Sequence, residues 1–273
     1  MSWTTLRVRP AANRDAVLAA MFAAGVGGVQ EEGEVFITHV DASFDIATLE
    51  LSIHGADPSA ALEAVALPDV DWSREWRRGI RAHTVGGLTV APPWLADGLD
   101  PHTTIVIEPA MAFGTGEHAT TRGVLALMPV VIHAGDRVAD LGAGSGVLSI
   151  AAMRLGASRV AAIELDADAI PNAEANLAAN GVGTGVTVIQ GDAATLLPLV
   201  APVDLVFANI LSGVILGLLP VVGGALAPGG RAIFSGITSD EAADMRAALT
   251  AAGWRVTHEL DEEGWWTAAA ARA

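Results

Sequence analysis

Apolar positions recur with two different periods along this chain. Alternation over Trp3 to Val8 predicts a strand. Arg14 to Ala24 predicts a helix, closed by Gly25, a residue type common just past helix C-termini. Val35–Val40 and Thr48–Ile53 are expected as further strands, and Pro58–Ala66 as a short helix. Together these elements suggest a small α+β domain over residues 1–66, built on one sheet.

The pattern then changes. Asp71 to Ile80 carries Trp72 and Trp76 on an expected short helix, and Gly86 to Pro93 encloses a short strand between Gly and Pro punctuation. Residues 67–100 therefore suggest a connecting region. From residue 101 onward strands and helices alternate. The candidate strands are Thr104–Ile107, Arg137–Asp140, Arg159–Glu164, Val186–Gln190, Asp204–Ala208 and Arg231–Ser235. Helical stretches such as Val147–Leu155 and Asp168–Asn180 lie between them. That order implies an α/β domain over residues 101–273, with a mainly parallel sheet and right-handed crossovers. Arg255–Glu259 and Trp265–Ala270 flank Asp261-Glu262-Glu263-Gly264 and suggest an antiparallel hairpin at the sheet edge.

Composition narrows the chemistry. Hydrophobic residues make up 52% of the 273 positions and aromatics 5%, enough for a sizeable aliphatic core. No run of 18 uncharged apolar residues appears, and no apolar segment follows Arg7 and Arg9, so a cytoplasmic location is expected. Cysteine is absent, which excludes disulfides, thiol nucleophiles and Cys-ligated metals. All 15 basic residues are Arg, so Schiff-base chemistry and a P-loop lysine are excluded as well. His39, His54, His83, His102, His133 and His258 are scattered without metal-ligand spacing, and no metal site is expected. A net charge of −16 disfavours direct contact with a phosphate backbone and suits a basic protein partner.

The sharpest local signal is Asp140-Leu141-Gly142-Ala143-Gly144-Ser145-Gly146, between an apolar strand and an apolar helix. Glycines there permit a tight turn and close approach of a ligand to the backbone. A dinucleotide fingerprint would need its third glycine at Val147. The D-x-G-x-G-x-G spacing instead resembles the first motif of class I S-adenosylmethionine methyltransferases. A carboxylate beside the loop suits a cofactor carrying an ammonium and a sulfonium. Glu164 closes the next strand roughly twenty residues on, where an acid can accept hydrogen bonds from a ribose diol. Asp192 follows the third strand, where such enzymes often contact the adenine amino group, although a turn-forming Asp is the plain alternative. Asn209 ends the strand Asp204–Ala208 at the side of the sheet where open α/β folds bind ligands. Methyl transfer to an amine needs a neutral amine held at roughly 3–3.5 Å in line with the methyl. An Asn carbonyl can accept the amine's hydrogens and leave its lone pair facing the methyl. Capping of the following turn is the plain alternative for Asn209.

Phe113-Gly114-Thr115-Gly116-Glu117-His118-Ala119-Thr120-Thr121 precedes the apolar helix Val124–Met128. A threonine at a helix start commonly caps it. This loop, Asp140–Leu148, Ile163–Asp166, Ala208–Leu211 and Pro228–Ile237 follow one another in an order that resembles the bacterial ribosomal-protein methyltransferase family PrmA. The likeness is good over residues 70 to 267 and loose before them. It implies a class I methyltransferase with S-adenosylmethionine contacts at Thr121, Gly142, Glu164 and Asn209, to which Gly144, Asp192 and Thr115 are added. Asn209 is the expected catalytic residue. The resemblance also implies methylation of a large-subunit ribosomal protein on its α-amine and lysines, a small N-terminal domain that grips this substrate, and a monomer. Glu164 stands where the family has Asp. His118 is expected to be structural, with no triad partner, and Trp72, Trp76, Trp265 and Trp266 are expected to pack. The alternatives are an enzyme of the same chemistry with another protein or small molecule as acceptor, a non-catalytic cofactor-binding module, and an NAD-dependent oxidoreductase.

Overall fold

The computed structural model describes residues 3–66, 80–109 and 114–272. The expected helix carrying Trp72 and Trp76, and Phe113 of the glycine-rich loop, lie outside the described residues. The chain forms two compact units, Met1–Gly79 and Ile80–Ala273.

In the first unit β1 (Trp3–Arg9), α1 (Arg14–Ala23), β2 (Gln30–Glu32), β3 (Val35–Asp41), α2 (Ile46–Ala56) and β4 (Ala61–Ala66) follow in order. The sheet is antiparallel in the order β2-β3-β1-β4. Leu6, Val8, Val17, Met21, Phe36, Leu49 and Ile53 form its core. Two sequence expectations are reversed. Thr48–Ile53 is not a strand but lies within α2, because Asp45 caps the helix through Thr48 N and buries Leu49 and Ile53 one turn apart. Pro58–Ala66 is not a helix, because Ala61–Ala66 pairs with β1 along its length. The short edge strand β2 was not anticipated.

The second unit opens with β5 (His83–Val85) and β6 (Leu88–Ala91), a hairpin turned through Gly86-Gly87 inside the stretch read from sequence as connecting. Contrary to expectation, β7 (Thr104–Val106) does not join the large sheet but pairs parallel to β6 in this three-stranded one. After it come α3 (Ala119–Val131), β8 (Arg137–Leu141), α4 (Val147–Arg154), β9 (Arg159–Glu164), α5 (Ile170–Ala179) and β10 (Val186–Gln190). The chain continues through α6 (Ala193–Val200), β11 (Val203–Asn209), α7 (Ser212–Ala225), β12 (Leu226–Thr238), α8 (Ala242–Ala251), β13 (Trp254–Glu262) and β14 (Trp265–Arg272).

The large sheet runs β10-β9-β8-β11-β12-β14-β13. Its first five strands are parallel, and β14 runs antiparallel to both of its neighbours, β12 and β13. This is the mixed α/β architecture expected. The hairpin strands run longer than the sequence suggested, and only Glu263-Gly264 turns, with φ of 52° and 81°. Both faces of the sheet are covered. Val138, Leu205 and Phe207 point toward α3 and α4, whereas Ala139, Val206 and Ala208 point toward α6, α7 and α8. Burial on both faces explains why β8 and β11 are mainly apolar, with Asp140 the buried exception in β8. The strand order reverses between β8 and β11, and that switch point opens a crevice at the carboxyl ends of the strands. No helix among the described residues is long and apolar enough to cross a membrane.

Candidate functional site

The chain leaves β8 through Gly142, Gly144 and Gly146, whose φ angles are 75°, 52° and 80°. That left-handed run is cheap only for glycine. A Cβ on Gly142 would come within 2.5 Å of Ile210 Cγ2. The loop is tied to the neighbouring strand end, since Gly142 N and Ala143 N donate to Ile163 O at 2.8 and 3.2 Å. Ser145 Oγ donates to Gly114 O at 2.6 Å, and Asn176 Nδ2 on α5 donates to Ser145 O at 2.9 Å. The loop therefore has a support on each side. Asn176 was not singled out from the sequence; its signal is an Asn repeated one turn later at Asn180 on an Ala-rich helix.

Glu164 accepts Gly144 N at Oε2 (2.8 Å) and Asp166 N at Oε1 (2.9 Å). A carboxylate has about four acceptor sites, so each oxygen keeps capacity for a ligand hydroxyl. Asp140 sits beneath the loop and not on it. It is fully buried, Ser149 Oγ donates to its Oδ2 at 2.7 Å, and its Oδ1 has no partner. Burial pushes this carboxyl up to about 6, with the charge of Glu164 adding to the rise and Ser149 opposing it. Direct service to a cationic ligand, expected from the sequence for this acid, is not its position here.

A cavity of about 650 Å³ fills the switch point, within the usual range for small-molecule sites. Of the residues expected to bind cofactor, Gly142, Gly144, Glu164, Asp192 and Asn209 line it. Thr121 and Thr115 do not. Thr121 is buried behind Asn209, whose Nδ2 donates to Thr121 Oγ1 at 3.5 Å, and it is Thr120 that reaches the wall. Neither threonine caps α3; His118 does so, accepting Thr120 N at Nδ1. Asp192 both caps α6, accepting Ala194 N at 3.3 Å and Thr195 Oγ1 at 3.1 Å, and lines the cavity. Asn209 caps nothing, since Leu211 is the cap of α7. Its Oδ1 is buried without a hydrogen-bond partner.

Further walls come from residues given no role in the site from the sequence. Gly236 at the end of β12 and Ile210 and Leu211 after β11 join the lining. So does Trp265, expected only to pack, which meets the His118 ring edge-on at 5.0 Å. Its neighbour Trp266 is buried, as expected.

The donor set fits S-adenosylmethionine. Glycines keep the space beside Ile210 open, Glu164 offers acceptor capacity at the strand end, Leu165 and Ala169 give an apolar wall, and Asn209 on the lining keeps an oxygen without a hydrogen-bond partner.

Comparison with known proteins agrees with this geometry. Residues 29–273 match the family model described as ribosomal protein L11 methyltransferase (PrmA). The ribosomal protein L11 methyltransferase of Thermus thermophilus is 38% identical over 253 residues, covering 92% of each chain. That of Pelotomaculum thermopropionicum is 42% identical over 217 residues, 79% of this chain and 70% of the relative. The crystal structure of ribosomal protein L11 methylase from Lactobacillus delbrueckii subsp. bulgaricus superposes with a TM-score of 0.64 and 28% identity, covering 71% of this chain and 99% of that one.

Proposed function

This chain belongs to the PrmA family of ribosomal protein L11 methyltransferases, and on that footing we propose that it transfers methyl groups from S-adenosylmethionine to amino groups of ribosomal protein L11, at the N-terminal α-amine and at lysine side chains. The observation that carries this reading is the buried Asn209 Oδ1, an acceptor without a partner on the wall of the switch-point cavity.

When bound, the cofactor supplies a methyl group on a positively charged sulfur. Gly142 and Gly144 let the backbone approach it, Glu164 accepts its ribose hydroxyls, and Asp192 lies where its adenine would be met. Asn209 acts on the acceptor. Its Oδ1, which has no partner within the protein, takes a hydrogen of the neutral amine, and its Nδ2 is held by Thr121 Oγ1. The amine's lone pair is then directed away from Asn209. The chemistry demands that the amine lose its proton before reaction, and positioning supplies the rest. His118 and Trp265 also line the cavity.

In this reading residues 1–66 recognise the protein substrate, residues 67–100 link, and residues 101–273 carry out transfer. The chain's net charge of −16 suits a basic substrate. Labelled S-adenosylmethionine and purified L11, followed by mass spectrometry, test the proposal. Gains in steps of one methyl on the N-terminus and lysines are expected. Cofactor binding without any gain on L11 would remove the substrate assignment and leave the site.

A further inference from the structure

We propose that Glu241 is a positioning residue that clamps the segment bearing Asn209. The proposal rests on the reading that Asn209 orients the acceptor amine. Glu241 does not line the cavity. It stands at the start of α8, where it accepts Thr238 N and Oγ1 at Oε2 (3.0 Å each), a capping-box bond to the residue three positions back. Its other oxygen, Oε1, reaches out of this turn and accepts Ser212 Oγ at 2.6 Å. These bonds to Ser212 and Thr238 hold its carboxyl below the ordinary range, so it is a charged acceptor.

The two partners belong to different elements. Ser212 begins α7, three residues after Asn209, and Thr238 ends β12 beside Gly236. Asn209 is the last residue of β11, where the ladder ceases to fix the backbone. Beyond it, Ile210 N donates to Ser235 O at 3.2 Å, and Ser212 is fixed by Glu241. The segment is thus pinned to the end of β12 at two points. Gly236 makes the approach possible, since a Cβ there would overlap the Ile210 carbonyl. The amide of Asn209 has one long side-chain bond, to Thr121, and an orphaned oxygen. Its aim therefore depends on its backbone as well as on Thr121, and the backbone is held by this clamp.

The test uses the full chain with Glu241→Ala, Glu241→Gln and Ser212→Ala. Glu241→Ala is expected to lower kcat on the order of 10- to 100-fold, as a displaced positioning group does, with the cofactor Kd within about twofold. Glu241→Gln, which keeps an acceptor for Thr238 and a donor for Ser212, is expected to recover most of the loss. In an Asn209→Ala background, Glu241→Ala is expected to cost almost nothing further. Hydrogen exchange read by mass spectrometry is expected to speed up over residues 209–215 in Glu241→Ala. An unchanged kcat in Glu241→Ala overturns the proposal, as does a full additional loss in the Asn209→Ala background. Unchanged exchange overturns it too, and because exchange needs no turnover, that failure is separable from a failure of the methyl-transfer reading.

Discussion

Asn209 Nδ2, at the end of β11, donates to Thr121 Oγ1 in the first turn of α3 across 3.5 Å. The bond holds the amide nitrogen against the protein and leaves the oxygen without a partner. Thr121→Val keeps the shape and removes the acceptor. Turnover is expected to fall about tenfold or more as the amide loses its orientation, and Thr121→Ser is expected to restore it. A Thr121→Val enzyme with unchanged kcat would show that the amide is oriented by other means.

Glu164 holds Gly144 N and Asp166 N with its two oxygens. Glu164→Ala removes these and the hydroxyl acceptors together. A hydrogen bond to a charged group contributes about 1.5–3 kcal/mol, so the cofactor Kd is expected to rise roughly 10- to 100-fold by calorimetry. Glu164→Asp is expected to be milder. A Kd in Glu164→Ala equal to that of the wild type would remove Glu164 from the cofactor site.

Asp140 carries a carboxyl raised by burial from 3.8 to about 6. Because the folded state binds its proton more tightly than the unfolded chain, this group's contribution to stability is greatest below about pH 4. It falls as pH rises to about 6 and is level above that. A shift of about two pKa units corresponds to roughly 3 kcal/mol. Asp140→Asn has no such titration. The difference in Tm between Asp140→Asn and wild type is therefore expected to move in favour of the variant between pH 4 and 6.5, then to flatten. Melts showing a constant difference across that range would contradict the assignment.

Gly236 has φ of 81° and its absent Cβ makes room for the Ile210 carbonyl. Gly236→Ala is expected to destabilise by more than about 1 kcal/mol and to displace the Asn209 segment. Chemical denaturation checks the first, and loss of kcat beyond the loss of folded protein checks the second. Full stability in the variant would mean that β12 and Ile210 can separate freely.

Much of the catalytic unit was legible because its signals are local. β8 and β11 are buried on both faces and read as apolar runs, and the glycine turn, Glu164 and Asn209 sit at strand ends that those runs locate. The first unit was harder. Ala61–Ala66 is rich in helix formers but gains its hydrogen bonds from β1, and Ile46–Ala56 mixes β-branched with aliphatic residues while its Asp45 cap decides for helix. In the site, the places of Trp265 and Gly236 on the wall were not assigned for another reason. They reach the cavity only because β12 and β14 pair next to β11, a relationship no spacing along the chain encodes. Thr121, expected to contact the cofactor, does not line the cavity, and its burial behind Asn209 could be seen only in three dimensions.

The most direct measurement is the rate of methyl transfer to L11 at saturating S-adenosylmethionine, for wild type and Asn209→Ala, with the cofactor Kd of both taken from the same preparations. If Asn209 orients the acceptor amine, kcat falls on the order of 100-fold or more while Kd changes little. Equal losses in kcat and in cofactor affinity would make Asn209 a cofactor ligand first, and an unchanged kcat would contradict the account of the site.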